Sequence, residues 1–517
     1  MSGIIKRVVI VGGGSAGWVT AGVIAAEHLA NMELGLEVIL VESPDIKPIG
    51  VGEGTWPSMR ATLQKMGVSE TDFIRECDAS FKQGSKFSQW ATGNGDEYYH
   101  PFTIPTGYNE INLADKWQSF RDKVSFADAV CVQSHLCTQG LAPKQISTPE
   151  YSFVTNYGYH LDAGKFSVFL QKHCVEKLGV KHILANVSDV NADSDGYIVS
   201  VGTQDNGNIT GDLFIDCTGF ASLFIGQFYK IPFISKKNIL FNDTALAVQI
   251  PYREESDAIA SHTLSTAQSA GWVWDIGLPS RRGVGYVYSS AHTTAEQAER
   301  EIRRYIAPTI GAREAETVSL RKIAIDSGYR KEFWHKNCVA VGLSAGFLEP
   351  LEASALVLVE VSAKMISEQM PVDRTVMEIV AKRFNEKFTY RWERIVDFLK
   401  LHYILTKRKD SSFWRDNCDS SSIPDSLQEL VCLWRSRSPW HYDATQAEEM
   451  FPSASFQYVL YGMGFETSSG ITKRRFDDAL ADRLLMENFQ KVKQLSKNLP
   501  TNRELLNKIK QFGLQKI

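Results

Sequence analysis

Six residues near the start of the chain, Gly12-Gly13-Gly14-Ser15-Ala16-Gly17, offer chemistry through their backbone. They follow the β-branched run RVVIV at 7–11 and precede the apolar stretch WVTAGVIAAEHLA, which reads as buried strand, glycine turn and helix. Gly12 allows the tight bend, Gly14 lets a pyrophosphate approach the backbone, and Gly17 lets helix and strand pack closely. The helix start around Ser15 and Ala16 adds free N–H groups and a partial positive charge that suit an anion. A second strand, LEVILVE, ends in Glu42, placed so that its carboxylate can accept hydrogen bonds from an adenosine ribose. A purely structural βα turn would share the glycines and leave Glu42 unexplained.

Two later segments favour FAD over NAD. GDLFIDCT at 211–218 opens into Gly219, and CVAVGLSAG at 338–346 contains the small-residue turn Gly342-Leu343-Ser344. In two-domain FAD folds such returning segments cross near the flavin. The chain has one Gly-rich dinucleotide turn, so electrons from a nicotinamide cofactor are expected to arrive through another protein.

The elements that must position these residues predict an α/β fold: an FAD-binding Rossmann-like module with an interleaved mixed β-sheet over 1–370, then a mainly helical region over 371–517. That region is expected to roof the substrate site without folding alone. With 517 residues, 44% hydrophobic and 22% charged, the chain can bury a large core, and its net charge of −4 leaves no footprint for nucleic acid. The basic-leaning stretch from Lys491 to Lys516 reads as a solvated helix face. Eight scattered cysteines without a CxxC pair or zinc spacing read as buried thiols in a reducing compartment. The start MSGIIKRVVIVGGG runs straight into a strand, and no apolar run approaches the roughly 20 residues of a membrane span, so a cytoplasmic protein is expected.

Further motifs narrow the reading. Gly271-Trp272-Val273-Trp274-Asp275-Ile276-Gly277-Leu278-Pro279 resembles the W-x-W-x-I-P signature of the flavin-dependent tryptophan halogenase family, with two residues between Ile276 and Pro279. Gly50-Val51-Gly52-Glu53-Gly54-Thr55 resembles that family's loop over the flavin, and Phe81-Lys82 and Glu349-Pro350-Leu351-Glu352 follow in family order. The likeness spans about residues 7–465. On their own, Trp272 and Trp274 are strand residues sharing one face and filling a core.

The resemblance implies an enzyme that uses FAD as FADH2, with O2, a halide ion and a separate flavin reductase, as a monomer or homodimer. It implies that Lys82 matches the family's essential lysine, which either donates a hydrogen bond to hypohalous acid or forms a haloamine with it. Glu352 matches the carboxylate that stabilises the cationic ring intermediate and takes its proton. The backbone N–H groups of Ser354 and Ala355 match a halide nest. By residue type alone Lys82, on what reads as a helix, is a surface lysine like most lysines, and only the surrounding motif sets it apart; Lys86 one turn further keeps the surface reading.

His100-Pro101-Phe102 resembles the family's aromatic sandwich; a turn with a core phenylalanine is the other reading. Phe451 begins FPSASFQYVLYGM, which resembles the segment that grips the amino-acid end of tryptophan. Pro452 and Ala447 stand where tryptophan-specific members carry tryptophan and glutamate, so the expected substrate is an indole-like aromatic other than free tryptophan. Two alternatives share the flavin: a single-component aromatic hydroxylase, which has no use for Lys82, and a non-catalytic flavin-binding relative.

Overall fold

A computed structural model describes residues 4–30, 32, 35–46, 52–468 and 476–516. The chain forms two compact units, each assembled from three stretches: residues 1–79, 161–236 and 326–392 in one, and 80–160, 237–325 and 393–517 in the other. The expected boundary near 370 is therefore corrected. Sheet pairing between residues far apart in sequence, such as Val8 with Leu213, decides which stretch joins which unit.

The first unit is built on the apolar strand Arg7–Val11. Its β-branched side chains are buried on both faces, as a central parallel strand requires. It pairs in parallel with Glu37–Glu42 on one side and Leu213–Asp216 on the other, within a six-stranded sheet. Cys338–Ala340 continues that sheet in parallel, and the short edge strand Trp334–His335 is antiparallel. Val9, Val11, Ile39, Val41 and Phe214 form a core with Ile198, Val201 and Ile209 of a smaller three-stranded sheet. The helix Ser15–Glu27 is buried from Gly17 to Ala25 and packs with Ala163–Leu178 and Ser354–Glu368.

The second unit is built on a seven-stranded, mostly antiparallel sheet, in which Thr263–Ala267 pairs in parallel with Gly84–Ser88. Ala295–Ile310 covers part of it through Ala298, Ile302 and Ile306. Trp272 is fully buried and Trp274 half-buried on the strand Gly271–Gly277, so the expectation of a core-filling pair holds for the first and partly for the second.

Residues 82–90 are not helical. Ser80–Lys82 and Gly84–Ser88 are strands, separated at Gln83, and Gly84 has φ +150° with its Cα hydrogen turned toward the His100 carbonyl, where a Cβ would come within 2.4 Å. Only glycine fits that passage. The cysteine expectation also needs correction: six are buried, Cys418 is half-buried and Cys432 is exposed. The basic tail forms parts of the helices Asp478–Asn498 and Asn502–Phe512, and these bury Leu495, Leu505, Leu506 and Ile509 instead of being solvated throughout. Among the described residues no helix is long and apolar enough to cross a membrane.

Candidate active site

The dinucleotide turn is formed as its sequence implies. Gly12 has φ +119°, its N–H donates to the Val41 carbonyl at 2.8 Å, and a Cβ there would meet the Cys217 carbonyl oxygen at 2.1 Å. Gly342, at φ +75°, brings the turn Gly342–Ser344 so near Ala16 that a Cβ would sit 2.7 Å from that methyl group. A Cβ on Gly14 would meet open space, and Gly14 directly precedes the helix Ser15–Glu27. An open backbone next to unpaired helix N–H groups, hemmed in on its other sides, fits the pyrophosphate of FAD. Glu42 lies at the strand end, with His182 Nε2 at 2.9 Å from its carboxylate. Ser15 Oγ is 3.2 Å from Ser167 Oγ, and Leu343 is half-buried.

Gly50 and Val51 lie outside the described residues. Gly52–Gly54 is a short strand, and burial pushes the Glu53 carboxyl up to about 7. Trp56, two residues past Gly54, donates its indole N–H to the Glu352 carbonyl at 2.7 Å. Glu352 is 3% exposed, and Ala353 after it is left-handed, with φ 53° and ψ 44°, before the helix Ser354–Glu368 begins. Ser354 is buried and Ala355 half-buried. Glu349 is buried as well.

Two buried carboxyl groups of this unit were missed by sequence reasoning. Asp216, inside GDLFIDCT, accepts from the N–H groups of Thr218, Phe224 and Ile225 at 2.9–3.1 Å and so ties down the turn after its strand. Glu360 accepts from Ser58 Oγ at 3.1 Å and Thr62 Oγ1 at 2.6 Å, fastening the helix Ser58–Lys65 that follows the Gly52–Pro57 segment. A polar residue on the buried face of an apolar helix was the available signal.

Burial raises the Glu360 carboxyl to about 7. The folded state then binds its proton more tightly than the unfolded chain, so its contribution is fully present below the unfolded value of 4.5 and is lost as pH rises through about 7. Glu360→Gln, neutral at every pH, is expected to match wild type below about pH 4 and to exceed it at pH 8 by up to roughly 3 kcal/mol. Urea unfolding at the two pH values measures this.

In the other unit Lys82 ends the strand Ser80–Lys82, opposite Gly158, and is 1% exposed. Its Nζ stands 5.3 Å from the Phe102 ring centroid, within cation–π range. Next to it Gln83 is fixed at every polar atom. Its N–H donates to the Ser261 carbonyl at 2.7 Å and its carbonyl accepts from Phe102 N–H at 3.0 Å. Its side chain donates to the Leu141 carbonyl and accepts from Thr155 Oγ1, both at 2.8 Å, as well as from Gln133. The Asn502 side-chain amide donates to the Phe81 carbonyl at 3.2 Å. Lys86, by contrast, is half-buried and pairs with the exposed Glu97 at 2.7 Å.

His160, opposite Ser80, was also missed. Burial first, and then the neighbouring Lys82, hold its imidazole well below the ordinary histidine range, and its Nε2 is 2.8 Å from Thr263 Oγ1.

His100 and Pro101 end the strand Glu97–Pro101 and are not a turn. His100 Nε2 is 2.9 Å from Ser455 Oγ, and its ring lies 5.5 Å from Phe398 and 6.4 Å from Phe451. Phe451 stacks on Phe398 with centroids 3.7 Å apart. Pro452 caps the helix Ser453–Gly462. Tyr108 lies 4.8 Å from both Trp440 and His441, aromatic residues that sequence reasoning did not single out. Lys82, His100, Pro101, Phe102 and Phe451 thus belong to one unit, and Glu352, Ser354, Ala355 and the dinucleotide residues to the other.

The tryptophan halogenase family matches residues 7–475. The chain belongs to that family. A crystal structure of a tryptophan halogenase from Shewanella frigidimarina superposes with a TM-score of 0.96 at 50% identity, over 99% of each chain. Tryptophan 7-halogenase RebH of Lentzea aerocolonigenes is 33% identical over 84% of this chain and 83% of its own. BrvH, a flavin-dependent halogenase from Brevundimonas, superposes with a TM-score of 0.85 at 32% identity, over 98% and 99% of the two chains. The protein is a flavin-dependent halogenase of the tryptophan halogenase family. It uses FADH2 supplied by a separate reductase, with O2 and halide, to halogenate an aromatic substrate.

Proposed function

We propose that Lys82 captures and activates hypohalous acid for electrophilic halogenation of an indole-type substrate other than free tryptophan. When bound, the reduced flavin supplies, with O2, the oxidation of halide to hypohalous acid. The N–H groups of Ser354 and Ala355 hold the halide, and the loop from Gly50 to Glu53, the Gly12–Gly17 turn, Glu42, Gly342 and Leu343 hold the cofactor. Lys82 then donates a hydrogen bond to hypohalous acid, or as the neutral amine exchanges a proton for the halogen with loss of water. Attack by the aromatic ring leaves a cation that Glu352 stabilises and deprotonates. His100, Pro101, Phe102 and Phe451 line the place of the ring. We further take the protein to act as a monomer or homodimer in the cytoplasm.

The observation that carries this reading is Lys82 itself: a lysine 1% exposed, on a strand whose neighbour Gln83 is immobilised, facing an aromatic ring. Burying an ammonium is costly, and a surface role does not account for it.

The substrate assignment rests on Pro452 and Ala447 standing in the segment that would hold an amino acid's charged end. With FAD, a flavin reductase, NADH and bromide, indole is expected to give a higher specificity constant than tryptophan, read as brominated product by mass spectrometry. The reverse order would overturn the indole assignment. Rapid substrate-dependent NADPH oxidation by the protein alone would instead favour a hydroxylase.

A further inference from the structure

The Trp56 indole does more than fill space. We infer that Trp56 is a positioning residue for the halide nest: its hydrogen bond to the Glu352 carbonyl holds the left-handed turn at Ala353, and so sets where the Ser354 and Ala355 N–H groups point. The inference rests on the assignment of Glu352, Ser354 and Ala355 proposed above.

The corner has two halves. On one side the chain runs Glu349-Pro350-Leu351-Glu352, and Ala353 N–H donates back to the Pro350 carbonyl at 3.0 Å. Ala353 then takes φ 53° and ψ 44°, a conformation that costs an alanine about 1 kcal/mol or more and is reached without penalty only by glycine. Something outside the turn must therefore favour it. On the other side stands Trp56, whose indole N–H reaches the carbonyl of Glu352, the peptide group directly before Ala353, at 2.7 Å. That bond fixes the orientation of the peptide plane entering the left-handed residue, and hence the direction in which the helix Ser354–Glu368 begins.

Trp56 is itself anchored. It closes the Gly52–Pro57 segment, and the helix that follows is fastened by the Ser58 and Thr62 hydroxyls to the Glu360 carboxyl, two turns along the helix that Ala353 introduces. The indole and the carboxyl thus clamp the same pair of segments at two points. A phenylalanine at 56 would retain an aromatic ring at this half-buried position and lose the donor with part of the indole's surface.

The test compares halide KM with kcat. Trp56→Phe is expected to raise the halide KM by roughly tenfold, the loss of one well-made hydrogen bond. The FAD Kd and the thermal midpoint should stay close to wild type, a selectivity that a merely structural tryptophan would not give. The double variant Trp56→Phe with Ala353→Gly should recover most of the halide affinity, because glycine adopts the left-handed turn unaided. If Trp56→Phe does not fold, Ala353→Val, which opposes the turn while leaving the indole in place, should give the same rise. A wild-type halide KM in Trp56→Phe, or no recovery in the double variant, overturns the inference. Glu352→Gln measured alongside separates the two levels: unimpaired turnover there defeats the underlying assignment, whereas strong impairment there with an unchanged Trp56→Phe defeats only the positioning role.

Discussion

Lys82→Ala is expected to leave FAD binding and flavin oxidation nearly intact and to lower halogenated product by roughly a thousandfold or more, the scale of losing a catalytic group. Lys82 is no part of the dinucleotide turn or of the strands and helix that form it, so its removal is expected to spare the cofactor. Lys82→Arg should fail or nearly fail as well. Guanidinium keeps the charge, but it is planar, presents its donors differently and cannot readily form a haloamine. Lys86→Ala is the control. Its partner Glu97 is half exposed, and such an ion pair contributes about 1 kcal/mol at most. Product is read by mass spectrometry and flavin reoxidation by absorbance in the same samples. A well-folded Lys82→Ala protein that halogenates at the wild-type rate would mean that free hypohalous acid does the work.

Gly17→Ala should damage the protein at its other end of the chemistry. Its Cβ would lie 1.8 Å from the Gly12 carbonyl oxygen and 3.5 Å from Leu40 Cδ1, so the turn itself must move. Overpacking of this kind costs about 1–3 kcal/mol, which corresponds to a loss of roughly five- to 150-fold if it falls on the bound geometry. FAD affinity, measured by fluorescence titration, should fall together with the thermal midpoint. Gly14→Ala separates the two effects. Its Cβ meets no atom within 4 Å, so the midpoint should hold while FAD binding weakens through the methyl group now facing the pyrophosphate. Unchanged FAD affinity in both variants would remove this turn from the cofactor site.

What could be read from the sequence is what is local. The run from Arg7 to Gly17 contains its own strand, turn and helix, and Glu42 ends the next strand, so they could be read without knowing a distant partner. The stretch after Phe81 misled because Lys82 and Lys86 are four apart, which mimics one helical turn. Gly84 between them and the alternation Lys86, Phe87, Ser88 were the better signal, since Gly84 to Ser88 is paired on one edge by the next strand, Glu97–Pro101, and on the other by the remote Thr263–Ala267. The same cause explains the misplaced domain boundary: residues 393–517 join the unit of residues 80–160, as in the contacts of Tyr98 with His402 and of Phe81 with Asn502, so no single cut divides the chain. His160, Trp56, Glu360 and Asn502 acquire their meaning only from partners about 80 to 420 positions away, and neither periodicity nor a short motif reports such pairings.

The bond from Asn502 to the Phe81 carbonyl spans 421 positions. Closing so long a loop is entropically unfavourable until intervening segments have condensed, so this tie forms only after most of the chain has come together. The dinucleotide turn waits on remote segments as well, since Gly12 packs against Cys217 and Ala16 against Gly342. A chain ended before Asn502 would leave the strand Ser80–Lys82 without its tie, so the far end of the sequence takes part in ordering the backbone at Lys82.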